Sequence, residues 1–313
     1  VLAPFINAYD QWIQYQTYDV TDMLLQGENA LGAFLGNGYY KGRVNWPGIP
    51  TRTQLYGDTL GLICDLVIEY EDGSSEVIAT DENWKVSESP FLRSEIYDGE
   101  YFDARRVQAG WDAPGFDDSA WEKAVLITPP KGRLEARRSV PLTVMETRAV
   151  EKVIVTPAGE TVLDFGQNMS GWVRFRTNAP AGTEILLQAG ECLDKHGNFY
   201  RENMRTALAE TRYICRGGGE EYVPYMTFMG FRYIRLTGWV GEVNPADFTA
   251  EVVYSKMERT GWFECSDERV NRLFLNALWG QKSNFVDVPT DCPQRDERMG
   301  WTGDAQVFCA TAC

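Results

Sequence analysis

Histidine is nearly absent from this 313-residue sequence, which contains only His196. That residue lies in the run Asp-Lys-His-Gly-Asn, whose composition predicts a surface turn. Ser-His-Asp triads, Cys-His pairs and multi-histidine metal sites all need a histidine in a structured pocket. The sequence therefore argues against such centres, and any proton transfer that the chain carries out must use carboxylates.

Long apolar runs are also missing. No stretch of about 18 apolar residues occurs, so no membrane-spanning helix is expected. The first residues, Val-Leu-Ala-Pro-Phe, lack a basic segment followed by an apolar one, so no signal peptide is visible. The sequence starts with Val1 rather than Met, which leaves the natural start of the chain and its localisation open.

Paired cysteine motifs are missing as well. The seven cysteines are scattered and odd in number, and no CxxC pair occurs. This pattern predicts reduced, mostly buried thiols rather than a disulfide framework. Cys309 and Cys313 lie four residues apart on a predicted helix, but two thiols without further ligands make a poor zinc site, so we expect both in the core. The sequence predicts no metal and no cofactor.

The composition is that of a globular protein, with 44% hydrophobic and 24% charged residues. A net charge of −15 argues against nucleic acid or an anionic membrane surface as a partner. A neutral substrate is compatible with this charge. Aromatic residues make up 13% of the chain, and most of them are expected in β-sheet cores, although sugar rings also stack on such side chains.

Short apolar runs separated by turn signals predict an all-β region over residues 1–130, with Asp72-Gly73 as a hairpin signal. The run Pro-Pro-Lys-Gly at 129–132 marks a linker, and a second β region follows over residues 140–256. Strands this short and this often punctuated favour a β-sandwich or jelly roll in both regions. A helical region begins near residue 260 and continues to residue 313.

Glycines punctuate the second β region. Gly166 and Gly171 stand between two apolar runs, and we predict separate strands at 161–165 and 172–176. Alternation in the second run indicates one buried and one solvated face. Trp172 is the exception, because it falls on the face that otherwise carries arginines.

Helical periodicity begins at Ser266-Asp267, which offer an N-cap before early acidic residues. We predict an amphipathic helix over residues 267–284, and a second helix over residues 304–313. The apolar positions of the first helix follow the i, i+3, i+4, i+7, i+8 pattern: Val270, Leu273, Phe274, Ala277 and Leu278.

The two predicted helices are joined by a loop that concentrates ionisable groups. Residues 291–304 read Asp-Cys-Pro-Gln-Arg-Asp-Glu-Arg-Met-Gly-Trp-Thr-Gly-Asp, with four acids and two arginines. Proline and glycine exclude a strand or a helix interior here. Burying such a loop is costly unless its charges serve one another or a ligand.

Glycoside hydrolysis is a chemistry that carboxylates perform without histidine or metal. The loop supplies an acid flanked by acids, and a neighbouring negative charge raises the pKa of a carboxyl group. Arg295 and Arg298 could neutralise the remaining charges or hold sugar hydroxyls, and Trp301 could stack on a sugar ring. The structural alternative is a solvated, salt-bridged turn between two helices.

The loop sequence resembles the signature of bacterial α-L-rhamnosidases of glycoside hydrolase family 78. Other segments agree along the whole chain. Residues 15–21, 35–42 and 96–100 resemble that family's N-terminal sandwich domain, and residues 162–168 and 228–233 resemble its second β-sandwich.

The resemblance implies inverting hydrolysis of terminal α-L-rhamnose from glycans or glycosides, inside an (α/α)6 barrel whose first helices end this chain. By position in the motif, Glu297 corresponds to the general acid, and its neighbour Asp296 is the rival. Asp304 also has a structural explanation as an acid in the first turn of a helix. The residues that the resemblance assigns to the rhamnose pocket are Asp291, Arg295, Trp301 and Asp304.

The family's general base, a glutamate far downstream in the barrel, has no counterpart in this sequence. Without that base, we expect a fragment that is inactive by itself. The resemblance also implies that the chain begins inside the first sandwich. An alternative is a carbohydrate-binding module that uses aromatic residues such as Trp46 or Trp111, and another is a purely structural role. The aglycone, the oligomeric state and the compartment, cytoplasmic or periplasmic and secreted in a bacterium, stay open.

Overall fold

The computed structural model describes residues 2–4, 6–46 and 49–313, with only the backbone described at 45, 46 and 49–51. Its first region is built from short paired strands. The predicted hairpin at Asp72-Gly73 is confirmed, because Gly73 takes a positive φ of 82° in the turn between two antiparallel strands, Asp65–Glu69 and Ser75–Ala79. The elements are β1 (Trp12–Tyr15), α1 (Gly38–Lys41), β2 (Arg43–Trp46), β3 (Ile49–Thr53), β4 (Asp65–Glu69), β5 (Ser75–Ala79), β6 (Lys85–Val86), β7 (Phe91–Glu95), β8 (Gly99–Asp103), β9 (Glu122–Lys123) and β10 (Arg133–Ala136), with 3-10 turns at Thr21–Met23 and Ala104–Arg106.

The second region forms most of a curled ten-stranded sheet. Its main path runs β11-β20-β13-β19-β14-β17-β8-β7, and β12 and β18 pair with β13 off this path. The strands of the region are β11 (Leu142–Ala149), β12 (Lys152–Val155), β13 (Thr161–Thr177), β14 (Glu184–Gly190), β15 (Cys192–Leu193), β16 (Phe199–Tyr200), β17 (Glu210–Ile214), β18 (Glu220–Tyr222), β19 (Met229–Thr237) and β20 (Phe248–Ser255), with 3-10 turns at Glu202–Met204 and Pro245–Asp247.

Strand β13 gives the sheet its curl. The two strands predicted at 161–165 and 172–176 are one 17-residue strand, bent where Gly166 takes a φ of 74° and the register with β19 shifts. Its first part pairs with β12 and its last part with β20 and β18. At Gly171, a Cβ would lie 1.9 Å from the carbonyl oxygen of Glu251, so only glycine permits this close approach of β20.

The curled sheet encloses the main hydrophobic core. Phe165, Phe175 and Phe231 are fully buried in it and belong to one cluster with side chains of β14 and β17. Trp172 is also buried, in a second cluster on the opposite side of β13, where its Nε1 donates to a Glu251 carboxylate oxygen at 2.9 Å. Both faces of β13 are therefore covered at this point, which explains the tryptophan on the face expected to be solvated.

The hairpin of β7 and β8 joins the first region to the second. Strand β8 pairs in parallel with β17, and β7 pairs antiparallel with β8 at the edge of the large sheet. Parallel pairing between segments more than 100 residues apart leaves no local sequence signal. The division into domains at 1–130, 140–256 and 260–313 stays a prediction, and this sheet crosses the first of its boundaries.

Helices follow the β regions, as the sequence predicted, so the fold is mostly β with a helical C-terminal part. Helix α2 (Glu268–Asn284) is capped by Asp267, whose carboxylate accepts the backbone N–H of Arg269 at 2.9 Å. A hairpin of β21 (Phe285–Val286) and β22 (Val288–Pro289) leads into the acidic loop, and α3 (Thr302–Ala312) follows it. None of the helices in the described part of the chain is long and apolar enough to cross a membrane.

The apolar face of α2 is largely exposed, with Leu273 at 67%, because α2 packs against β13 and β20 through its C-terminal half around Trp279. One expectation about the helical region is wrong. Cys309 and Cys313 are exposed rather than buried, since no residue of α3 is buried by the described chain. Of the seven free thiols, only those of Cys215 and Cys292 are buried.

Candidate active site

The acidic loop is closed at its base by backbone hydrogen bonds. Thr290 and Gly300 form an isolated antiparallel bridge, and the N–H of Trp301 donates to the carbonyl oxygen of Pro289 at 3.1 Å. The N–H of Asp291 donates to the carbonyl oxygen of Met299 at 3.1 Å. The loop is therefore a defined structure between β22 and α3 rather than a solvated connection.

Arg298 anchors the loop from inside the protein. Its side chain is fully buried, and its φ of 49° lies in the left-handed region. Nη1 donates to the carbonyl oxygens of Ile96 and Phe228 at 2.8 and 2.5 Å. Nη2 and Nε donate to the carbonyl oxygens of Gln294 and Arg295 at 2.8 and 3.0 Å. Burial lowers the pKa of this guanidinium. Two of its carbonyl contacts bind it to the two β regions, and the other two lie within the loop.

Two buried tyrosines hold the peptide groups on either side of Arg298. The hydroxyl of Tyr97 donates to the carbonyl oxygen of Glu297 at 2.7 Å, and the hydroxyl of Tyr39 donates to that of Arg298 at 3.2 Å. Tyr39, Tyr97 and Phe228 belong to three of the segments on which the family resemblance rested. Those distant segments meet at this loop, which gives them a shared structural role.

The Glu297 carboxylate is buried, at 6% exposure, and faces cations. Its Oε2 accepts from Nη1 of Arg205 at 2.9 Å and from Nε of Arg295 at 3.3 Å. Its Oε1 has no hydrogen-bond partner within the described part of the chain and is not among the buried unpaired atoms there, so it is the oxygen that meets the solvent. The carboxylate is thus held at one oxygen and accessible at the other.

Arg295 connects two of the predicted site carboxylates. Its Nη2 donates to Oδ2 of Asp291 at 3.0 Å while its Nε contacts Glu297. The other oxygen of Asp291 accepts the N–H of Met299 at 3.2 Å, so this acid also supports the loop. Burial raises the pKa of the adjacent Cys292 thiol to about 12, and a hydrogen bond with Asp291 acts in the same direction. Asp291, Arg295 and Glu297 therefore form one ion-paired group.

Asp296, the rival acid, points into the protein. Its side chain is completely buried, and Oδ2 accepts a hydrogen bond from the hydroxyl of Thr206. Nη1 of Arg43 lies 3.8 Å from the same oxygen. A carboxylate in this position stabilises the contact between the loop and the β regions, and no substrate in solution can reach it without local opening.

The remaining two predicted site residues lie at the start of α3. Trp301 is the N-cap residue of the helix and is partly buried, whereas Asp304 is exposed in the first turn. An acid in the first turn interacts favourably with the helix dipole, which was the structural explanation for Asp304. The structure thus brings Asp291, Arg295 and Glu297 together and places Trp301 and Asp304 beside them along the chain.

Sequence reasoning missed the contributions of the second β region. Arg205 lies 92 residues before Glu297 and pairs with it. Glu191 accepts from the side-chain amides of Asn168 and Asn203 at 2.8 and 2.9 Å. Burial raises the pKa of Glu191, and the nearby Arg295 guanidinium opposes that shift. The only signal was Asn168 itself, at the end of a segment that resembled the family.

The electrostatic surroundings of the loop differ from those expected. The sequence suggested an acid crowded by other acids, but each carboxylate of the 291–297 segment has a cation beside it. Asp291 and Glu297 share Arg295, Glu297 also pairs with Arg205, and Asp296 lies near Arg43. The reason is that two of these four contacts join residues 90 or more positions apart, and the other two depend on side-chain directions that the sequence does not give.

Three domain models match the chain in order. They describe an alpha-L-rhamnosidase N-terminal domain at residues 1–146, a bacterial alpha-L-rhamnosidase concanavalin-like domain at 154–254 and a bacterial alpha-L-rhamnosidase 6 hairpin glycosidase domain at 258–313. Together they define the class of the chain: it matches the domain models of bacterial alpha-L-rhamnosidases in order, and the acidic loop lies in the part that matches the 6 hairpin glycosidase domain.

Curated relatives and solved structures agree. An alpha-L-rhamnosidase of Streptomyces avermitilis is 40% identical over 99% of this chain and 30% of its own length. Another, from Formosa agariphila, is 37% identical over 100% of this chain and 34% of its own length. The crystal structure of the Streptomyces avermitilis enzyme complexed with L-rhamnose superposes with a TM-score of 0.92 at 38% identity, over 99% of this chain and 30% of that one. The crystal structure of the native enzyme from Aspergillus terreus superposes with a TM-score of 0.91 at 39% identity, and the match covers 99% of this chain and 36% of that one.

The chain belongs to the bacterial α-L-rhamnosidase family. It spans about a third of the length of the curated relatives it matches.

Proposed function

We propose that the protein carrying this chain removes terminal α-L-rhamnose from glycans or glycosides by inverting hydrolysis. The observation that supports this reaction best is the match of the whole chain to rhamnosidases, one of which has been solved with L-rhamnose. The net charge of −15 is compatible with a neutral sugar substrate. No cofactor is needed for the chemistry.

Glu297 is the general acid in this proposal. Its proton, carried on the accessible Oε1, passes to the glycosidic oxygen as the bond from that oxygen to the anomeric carbon breaks. The bonding electrons stay with the departing oxygen, and a water molecule attacks the opposite face of the sugar. The carboxylate that remains is paired at Oε2 with Arg205 and Arg295. Asp296 is disfavoured for this role because its side chain is completely buried.

The other assigned residues surround the acid. Asp291 and Arg295 form an ion pair beside Glu297, and we propose that their remaining hydrogen-bonding capacity holds rhamnose hydroxyls. Trp301 offers an aromatic face at the start of α3, and the exposed Asp304 follows one helical turn later. All four are proposed to line the rhamnose pocket.

The general base lies outside these 313 residues in this proposal. An inverting site needs two carboxyl groups about 6.5–9.5 Å apart with a water molecule between them. We therefore propose that the chain alone does not hydrolyse rhamnosides, although it holds the acid. Release of rhamnose from p-nitrophenyl α-L-rhamnoside by the purified 313-residue chain would contradict this.

A non-catalytic carbohydrate-binding module is the second candidate, but Trp111 gives it little support. This ring stacks against Trp121 and packs on Phe34, and a Cβ at Gly32 would lie 2.4 Å from it. Its faces are therefore used in packing. The side chain of Trp46 lies outside the described part of the structure.

The deciding experiment compares Glu297→Gln with Asp296→Asn in the full-length protein, using a rhamnose disaccharide as substrate. Loss of a general acid costs about 10²–10⁴-fold in rate, so Glu297→Gln should lower the kcat of the folded protein by that factor. Asp296→Asn should lower stability more than it lowers the activity of the folded fraction. Native turnover by Glu297→Gln would remove Glu297 from the acid role.

A further inference from the structure

Two consecutive residues of the second β region bind two consecutive acids of the loop. Nη1 of Arg205 contacts Glu297, and the hydroxyl of the next residue, Thr206, donates to Asp296. Thr206 is held in turn by Arg43, which donates to its hydroxyl at 2.5 Å and to its carbonyl oxygen at 3.1 Å. This segment lies between β16 and β17, in a region whose sequence suggested only sheet structure.

The backbone at Arg205 is itself unusual. It follows the 3-10 turn Glu202–Met204 with φ of 55° and ψ of −116°, a conformation that residues other than glycine rarely adopt. Met204, beside it, is buried at 1% exposure and fixes the turn. The conformation directs the guanidinium towards the loop, so the placement of Arg205 is determined by packed neighbours.

Both cations act on the same carboxylate oxygen. Arg205 and Arg295 approach Oε2 of Glu297 from the β region and from the loop respectively, and Oε1 is left towards the solvent. Two donors on one oxygen restrict rotation of the carboxylate, so the other oxygen has a fixed direction. An acid that must deliver a proton to one substrate atom benefits from such a restriction, because small misplacements lower the rate steeply.

We propose that Arg205 is a positioning residue for Glu297, so that the second β region completes the acid side of the active site. This inference rests on the proposed role of Glu297. When the proton moves from Oε1 to the departing oxygen, the negative charge left on the carboxylate is paired with Arg205 and Arg295. The β region therefore contributes to catalysis through a side chain that does not touch the substrate.

The charged groups that face Glu297 come from three elements. Arg295 and Asp296 belong to its own loop, and Asp291 is neutralised through Arg295. Arg205 comes from the segment before β17, and Glu191 lies close enough to Arg295 to interact with it. Removing Arg205 takes away one of the two cationic donors on Oε2 and leaves Arg295 as the other.

The test uses the full-length protein with Arg205→Ala, Arg205→Lys and the control Arg212→Ala. Arg212 is a matched arginine of the same region, similarly exposed, whose partners are Glu184 and Glu210. We expect Arg205→Ala to lower kcat on a rhamnose disaccharide about 10²-fold with KM changed less than about threefold. Arg205→Lys should recover most of the loss, and Arg212→Ala should match the native enzyme.

A structural role alone would give a different pattern. Wild-type kcat in folded Arg205→Ala would overturn the proposal. A loss of activity that only follows the loss of folded protein, with no recovery by lysine, would overturn it as well. Melting temperatures of all variants separate these cases. Full activity of Glu297→Gln would instead remove the proposed acid, which is a distinct failure.

Discussion

Replacing Arg298 by methionine should release the acidic loop from the β regions. The guanidinium donates to four carbonyl oxygens, those of Ile96, Phe228, Gln294 and Arg295. Hydrogen bonds from a charged donor contribute about 1.5–3 kcal/mol each, or roughly 6–12 kcal/mol for four. Replacing the guanidinium by an apolar side chain also removes the cost of burying a charge, which is several kcal/mol and offsets part of this loss. We therefore expect Arg298→Met to lower the free energy of unfolding by roughly 3–5 kcal/mol.

Two measurements check this expectation. Urea unfolding of the variant gives the loss of stability, and hydrogen exchange of the Asp291 and Trp301 amides reports the loop, because both donate to carbonyls at its base. The control is Arg105→Met, since Arg105 is half exposed and paired with Asp103, and such a pair contributes below about 1 kcal/mol. An Arg298→Met variant within about 0.5 kcal/mol of the native protein, with unchanged exchange in the loop, would refute the reasoning.

Two further predictions concern the sheet. Burial raises the pKa of Glu100 to about 7, although hydrogen bonds from the backbone N–H groups of residues 225 and 226 oppose this shift. The raised pKa means that the folded protein holds the proton more tightly than the unfolded chain. The stability that this proton contributes is therefore complete below about pH 4.5 and is lost as the pH rises through 7. Urea unfolding should therefore show that Glu100→Gln, which does not titrate, gains on the order of 3 kcal/mol relative to the native protein between pH 4.5 and 8; parallel pH profiles would contradict this. Gly171→Ala should lower the free energy of unfolding by more than about 2 kcal/mol, because its Cβ would collide with the carbonyl oxygen of Glu251, and an unchanged melting temperature would show that β20 can move away.

Local signals predicted the elements whose structure depends on neighbours in the sequence. Helix α2 begins and ends where its N-cap and apolar periodicity indicated, and the Asp72-Gly73 hairpin forms. Helix α3 begins two residues before the predicted Asp304. The acidic loop lies between β22 and α3, but its last residues, 302–304, already belong to the first turn of α3, so Gly303 does not exclude the helix there. In each case the determining contacts lie within a few residues.

Long-range contacts account for what the sequence did not predict. The parallel pairing of β8 with β17 and the clamp of Arg205 on Glu297 join residues about 90–110 positions apart. The sequence predicts that strands end at Gly166 and Gly171, but in the structure these glycines allow β13 to bend and to approach β20 without ending. Arg298 was considered as a sugar ligand, and only the folded chain shows that it points inward to four carbonyls.

The central claim is that Glu297 protonates the departing oxygen. It is tested most directly by the dependence of kcat/KM on leaving-group pKa, measured with a series of aryl α-L-rhamnosides for the full-length native protein and for Glu297→Gln. An enzyme with a general acid shows a shallow dependence, because the departing oxygen receives a proton as it leaves. We expect kcat/KM to decrease steeply with rising leaving-group pKa in Glu297→Gln and only slightly in the native protein. Equal slopes for the two proteins would contradict it.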